Sequence, residues 1–150
     1  MEYYFNGSVN IMLGIEADCS PDRNDYWRMG YSYPVQLTQW ALASTAGHSV
    51  LLRFMETLTR RLQDVADRNH GDISSAAAAK ELRLIGPLSL TGPVAVTVAA
   101  KAWLEEQVSL RWNALTGLLD GGQSKLVDDV LILPITGFRS ASPCFLVDPC

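Results

Sequence analysis

The stretch Val9-Asn10-Ile11-Met12-Leu13-Gly14-Ile15, followed at once by Glu16-Ala17-Asp18, decides the fold class. A short apolar run bounded by polar residues predicts a buried β-strand over Val9–Ile15. Side chains alternate along a strand, so with Ile15 facing the core Glu16 and Asp18 project to the same side. The carboxyl end of a buried strand is where α/β proteins place ligand and metal contacts. Two carboxylates there could hold a divalent cation or share acid/base work. They could equally be a polar strand end that binds nothing.

Upstream, Tyr3-Tyr4-Phe5, Asn6-Gly7 and the following strand read as a β-hairpin, because Asn-Gly supplies the two positive-φ residues of a tight turn. Asn6-Gly7-Ser8 is also a glycosylation sequon. Downstream, residues 18–34 form a loop of turn formers interleaved with Tyr26, Trp27, Tyr31 and Tyr33, the composition of a packed lid or binding loop. Val35–Ala46 reads as a helix with Val35, Leu37, Trp40, Ala41 and Leu42 as its apolar stripe. Ser49–Arg68 is a second helix: Leu51, Phe54, Met55, Leu58, Leu62, Val65 and Ala66 recur every three or four residues, opposite i,i+4 charge pairs such as Glu56/Arg60. An Ala-rich helix over Ser74–Leu84 and another over about Val94–Gln107 follow, the latter with Thr91 as cap and helical character extending through Ser109–Leu119. Val127–Leu133 reads as a buried strand closed by Pro134. The order of strand, loop, helices and strand gives an α/β class with few strands, too few to complete a sheet.

The composition agrees with a packed domain and excludes several functions. The chain has 150 residues, 48 % of them apolar and 19 % charged. Its net charge is −4, and no basic run exceeds Arg60-Arg61, so the footprint of a nucleic-acid binder is missing. No run approaches the ~20 apolar residues of a membrane span, and the first residues lack the basic, then apolar, order of a signal peptide. Cys19, Cys144 and Cys150 are too few for a disulfide scaffold and lack zinc-ligand spacing. Their odd number leaves at least one thiol unpaired within the chain; Cys144 and Cys150, six apart, could bridge or could equally be free surface thiols.

Other residues carry weaker signals. His48 follows Gly47 at a helix entry and either bonds to backbone or faces a cleft, whereas His70 belongs to an exposed turn. Thr91-Gly92-Pro93 at a helix start has the form of an anion or sugar-hydroxyl site, since free N–H groups and a positive dipole end meet there. The same three residues would also serve as a cap and rigid turn. Gln39 lies beside Trp40, where it could contact a ligand. No nucleophile elbow, Walker loop, dinucleotide fingerprint or HExxH motif is present.

Together these pieces occur in a telling order: Gly14-Ile15-Glu16-Ala17-Asp18, Trp27-Arg28, Val35-Gln36-Leu37-Thr38-Gln39-Trp40 with Gly47-His48, Leu90-Thr91-Gly92-Pro93, and Asp129–Pro134 with Gly137-Phe138. The order resembles the fungal initiation-specific α-1,6-mannosyltransferase group of the DXD-containing sugar-binding glycosyltransferases. The resemblance covers residues 9–138, a partial catalytic domain, and leaves 139–150 as a divergent tail. It implies a partial GT-A-like fold, transfer of mannose from GDP-mannose to an N-glycan acceptor, Mn²⁺ as the metal, and a Golgi location. It also implies that Glu16, Asp18, Gln39, His48, Thr91, Gly92 and Pro93 line or support the substrate pocket. No Asp-X-Asp triplet occurs in the chain, so the metal ligands of that group are not expected among its residues. The alternative is a binding or interaction module, or a truncated product, without catalysis of its own.

Overall fold

A computed structural model describes residues 8–20 and 22–135. The Asn6-Gly7 hairpin and sequon, Gly137-Phe138, and the tail with Cys144 and Cys150 lie outside these residues. The architecture is α/β, built on a four-stranded mixed sheet in the order β2-β1-β4-β3. The strands are β1 (Ile11–Asp18), β2 (Val35–Ser44), β3 (Lys125–Val127) and β4 (Val130–Leu133). The helices are α1 (Ser49–Arg68), α2 (Ala76–Ile85), the single turn α3 (Pro87–Leu90) and α4 (Pro93–Val108).

The opening strand takes the central place that its composition requires. Ile11, Leu13, Ile15 and Ala17 are all buried, as are Gly14 and Asp18. A strand buried on both faces needs a neighbour on each edge to satisfy its backbone. It pairs with β2 in antiparallel sense and with β4 in parallel sense.

The helix expected over Val35–Ala46 is instead strand β2. Its first four residues, Val35, Gln36, Leu37 and Thr38, are all buried. Within them Val35 and Leu37 join the main core, a period-two pattern that the helical count of apolar residues concealed. The free edge of β1 then captured the segment, an instance of tertiary pairing overriding local pattern. The pairing is irregular. Leu13 pairs with Leu42 and Ile15 with Leu37, so residues 38–41 face only Gly14 across the ladder. Thr38 Oγ1 accepts the Trp40 N–H at 3.2 Å inside this bulge. The bulge leaves Trp40 53 % exposed, whereas a helical position would have placed it in the core.

Two further expectations change. Val127–Leu133 is not one strand but a tight hairpin: Asp128 takes a left-handed φ of 56° and β3 folds back on β4. Ser109–Leu119 does not extend α4. Ser109 adopts φ 52°, its N–H bonds back to the Glu105 carbonyl, and the chain turns into a short 3₁₀ segment at Trp112–Leu115.

The long helix α1 matches the expected Ser49–Arg68. Among the described residues its side-chain ion pairs within 4 Å run outward, not along its own face. Arg53 bonds Glu106 of α4, and Arg68 bonds Glu81 of α2. The main core joins Ile11, Leu13, Ile15, Leu37, Val130 and Ile132 of the sheet to Val50 of α1 and to Val96, Ala100, Trp103 and Leu104 of α4. Helix α4 is locked to β2 by a buried hydrogen bond, from the Leu37 N–H to Thr97 Oγ1 at 2.9 Å. Among the described residues no single helix is long and apolar enough to cross a membrane.

Candidate functional site

The two carboxylates that close β1 do different work. Asp18 is 5 % exposed, and both its oxygens are taken by protein donors. Thr116 Oγ1 donates to Oδ1 at 2.6 Å and the Gly117 N–H donates to Oδ2 at 2.7 Å. A buried carboxylate is tolerated only when donors replace its lost water, and here they come from the segment after the 3₁₀ turn. Gly117 suits this close approach, because a Cβ there would lie 3.1 Å from Asp18 Oδ2 and 3.0 Å from the Gly122 Cα. The clamp continues outward: Lys125 Nζ donates to the Thr116 carbonyl at 2.9 Å and pairs with Asp120 Oδ2 at 2.6 Å. Asp18 therefore fastens residues 116–117 to the end of the central strand.

Glu16 is only partly buried. Its Oε2 accepts from Gln36 Nε2 at 3.1 Å, while Gln36 Oε1 accepts the Ser32 N–H at 2.9 Å. This couples the carboxylate to the aromatic loop. Burial raises the Tyr31 hydroxyl above its ordinary pKa, and the charge of Glu16 adds to the effect. Glu16 and Asp18 do not converge on one ligand position, since each is turned to its own partners. Among the described residues no group of three His, Cys, Asp or Glu side chains is placed to hold a metal ion. With both Asp18 oxygens committed, the donor set at this strand end does not fit a divalent cation.

His48 lies at the other end of the sheet. It caps α1, accepting the Val50 N–H on Nδ1 at 3.2 Å. Its Nε2 faces Asp129 Oδ1 at 3.3 Å, and Asn10 Nδ2 donates to Asp129 Oδ2 at 2.8 Å. The ring also tilts against Trp103, with centroids 5.4 Å apart. Asn10 precedes β1 and Asp18 ends it, a run of about 26 Å of strand at ~3.3 Å per residue. His48 is therefore a structural joint among α1, β1 and β4, remote from Glu16. Burial pushes the Asp129 carboxyl up, but the hydrogen bonds from Asn10 and His48 outweigh it and leave it below its ordinary value. A depressed carboxyl pKa adds stability above the unfolded value, and that stability is lost as pH falls through the folded value. We expect thermal stability to drop below about pH 4, and Asp129→Asn to flatten that drop in melting curves.

The remaining sequence-predicted residues separate as well. Gln39 is exposed in the β2 bulge. Thr91 is exposed and is not the cap of α4; Gly92 is, and Thr91 Oγ1 reaches only the Pro87 carbonyl at 3.5 Å. Gly92 and Pro93 are buried against α3, where a Cβ on Gly92 would fall 2.7 Å from the Leu88 Cα. The glycine there admits neighbouring backbone, not a ligand.

Tyr31, Gln36, Thr116 and Gly117 were not singled out from sequence as members of this strand-end cluster. The Thr-Gly step of 116–117 was the available signal, hidden inside the supposed helical extension.

Comparison with known proteins bears on this arrangement. The chain is 32 % identical over 135 residues to the initiation-specific α-1,6-mannosyltransferase of Schizosaccharomyces pombe, a match covering 90 % of this chain and 31 % of that protein. It is also 32 % identical over 149 residues to the protein of that name from Candida albicans, covering 85 % of this chain and 34 % of that protein. The chain is similar to one third of an initiation-specific α-1,6-mannosyltransferase. It spans about a third of the length of the curated relatives it matches. No family model matches the chain, and no solved structure matches it. Both matches cover most of the chain, enough to take in much of the sheet-and-helix scaffold described above.

Proposed function

We propose that this chain is a partial glycosyltransferase domain of mannosyltransferase type, with GDP-mannose as donor and an N-glycan as acceptor. The observation that carries this reading is the similarity to two α-1,6-mannosyltransferases over 85–90 % of the chain. A central strand with a half-open carboxylate at its carboxyl end suits a partial GT-A-like sheet, where ligands gather at strand ends. Within that site Glu16 is the residue that meets the sugar. It has one oxygen oriented by Gln36, and its charge reaches the Tyr31 hydroxyl. A carboxylate beside a neutral phenol can accept from one sugar hydroxyl while the phenol donates to the next. Asp18, His48, Gly92 and Pro93 support the scaffold around it. Any divalent cation in the reaction, Mn²⁺ by resemblance, takes its ligands from outside the described residues.

A location in the secretory pathway, in the Golgi by resemblance, fits one further fact. Cys19 is buried and disulfide-bonded, so the unpaired thiol expected from an odd count is not Cys19. Such bonds persist in oxidising compartments. The second reading, a non-catalytic binding module, is favoured by the complete engagement of Asp18 with protein donors.

Thermal unfolding with millimolar GDP-mannose in Mn²⁺ buffer tests the donor reading. Stabilisation of roughly 2–3 kcal/mol is expected when ligand is near 100 times its Kd. No rise in melting temperature, or an equal rise with UDP-glucose, overturns the donor assignment.

A further inference from the structure

The outward face of α2 and α3 takes no part in the strand-end cluster or in the His48 joint. In α2 the exposed residues are Ala76, Ala77, Lys80, Arg83 and Leu84. At 3.6 residues per turn they fall within an arc of about 120° on one side of the helix. The other side is spent inward: Ala78 is buried, and Glu81 accepts from Arg68 of α1. Gly86 then takes φ 79° and Pro87 opens α3, and the helical path beyond this break is turned by 80° from α2. Pro87 and Leu88 are exposed just past the corner. Leu84 is 80 % exposed on one side of it, and Leu88 is 52 % exposed on the other.

An apolar corner with a polar rim has the form of an interaction site. The rim here has one sign. Lys80 lies one turn before Leu84 and Arg83 adjoins it, and among the described residues neither cation is tied to a protein partner. No carboxylate is among the exposed residues of α2 and α3. The whole chain carries −4, so two uncompensated positive charges set this face apart from the average surface.

The shape selects among occupants. A helical or extended peptide is gripped by a groove that receives its side chains. Here the protein supplies the projection, so the partner must supply the depth. A bilayer does so: its interface admits apolar side chains to ~5–10 Å, and its anionic headgroups meet Lys and Arg at the surface. The long stems of Lys80 and Arg83 keep their charges at the headgroups while the leucines enter. We propose that the α2–α3 corner is a docking surface for an anionic lipid bilayer, with Leu84 and Leu88 inserted and Lys80 and Arg83 on the headgroups. The corner lies on the bilayer and does not span it, since no single described helix is long and apolar enough to cross. The net negative charge of the chain repels such a bilayer in other orientations, so the corner also sets which face turns to it. The inference stands apart from the donor reading, because none of these residues belongs to the Glu16 site.

Vesicle flotation of the full chain tests it, using phosphatidylcholine vesicles with and without about one third phosphatidylserine. Expected at low salt is roughly twentyfold tighter binding to the anionic vesicles, the effect of two cations at a charged surface. Most of that difference is expected to vanish near ~1 M salt. Leu84→Ser combined with Leu88→Ser should weaken binding about tenfold or more. Lys80→Gln combined with Arg83→Gln should bind the two kinds of vesicle alike. Leu52→Ser, at a leucine of α1 that is 51 % exposed, should bind as the parent does. Circular dichroism confirms that each variant is folded, and Leu84→Ser alone supplies a milder one. Several results overturn the proposal: no binding at millimolar anionic lipid, equal binding of the parent to both vesicles, or unchanged binding in the leucine variants. Self-association that Leu84→Ser abolishes, in a chain that leaves vesicles unbound, overturns it too and assigns the corner to a second copy.

Discussion

Asp18→Ala is expected to lower the unfolding free energy by about 3–6 kcal/mol, because it removes two charge-assisted hydrogen bonds worth ~1.5–3 kcal/mol each. The lost partners are the Thr116 hydroxyl and the Gly117 N–H, both donors to a carboxylate that is itself 5 % exposed. Water cannot replace the acceptor without opening the strand end, so the donors are left unpaired. Lys125 binds the Thr116 carbonyl, and the Leu118 N–H bonds Thr116 Oγ1, so the damage spreads through residues 116–125. Asp18→Asn keeps one carbonyl acceptor but brings an NH₂ group toward a donor, and should fall between parent and alanine. Urea unfolding measures all three. A loss under about 1 kcal/mol for the alanine variant would show that Asp18 is not the clamp described.

Gly92→Ala carries the second large effect, about 2–3 kcal/mol, at the upper end of the usual overpacking cost. The new Cβ would lie 2.7 Å from the Leu88 Cα and 3.0 Å from its carbonyl oxygen. Both are backbone atoms of the α3 turn, which cannot rotate away as a side chain would. Relief requires α3 to move off the start of α4, and Pro93 is buried at that start. Thr91→Ala should change stability by less than ~0.5 kcal/mol, since Thr91 is exposed and its hydroxyl makes only a long bond. A large ligand-binding loss in Thr91→Ala with an unchanged Gly92→Ala fold would restore the anion-site reading of this turn.

Much of the fold was legible in the sequence, for reasons that differ by element. Helix α1 is legible to both of its ends, Ser49 and Arg68, because seven apolar residues at helical spacing over twenty positions leave little ambiguity. β1 was found but placed two residues early and ended too soon. Its carboxyl half carries Glu16 and Asp18, which look like loop until their partners from Gln36 and Thr116 are known. β2 was misread because Val35, Leu37, Trp40, Ala41 and Leu42 satisfy a helical count. The three-dimensional fact that decides it is the open edge of β1. The β3–β4 turn at Asp128-Asp129 was missed because neither residue is glycine, although aspartate tolerates the left-handed conformation adopted there.

The candidate site was only partly legible. Glu16 and Asp18 were singled out together, and their neighbourhood in sequence held in space, but their roles divided according to burial. His48, Gln39 and the Thr91-Gly92-Pro93 turn were grouped by order along the chain. Sequence order does not report which end of a strand a residue reaches, and His48 joined Asn10 and Asp129 at the far end. The Thr116-Gly117 clamp depends on the reversal at Ser109, which a helical reading of residues 109–119 erased.

The central claim is that Asp18 holds the strand end while Glu16 meets the sugar. Glu16→Gln tests it most directly, by thermal unfolding with and without GDP-mannose. The account predicts a melting temperature within about 2 °C of the parent in the absence of ligand, since an exchange of half-buried acceptors changes little. It predicts that the ligand-induced rise seen in the parent is lost. A Glu16→Gln variant that retains the full rise, or one that unfolds as readily as Asp18→Ala, would contradict it.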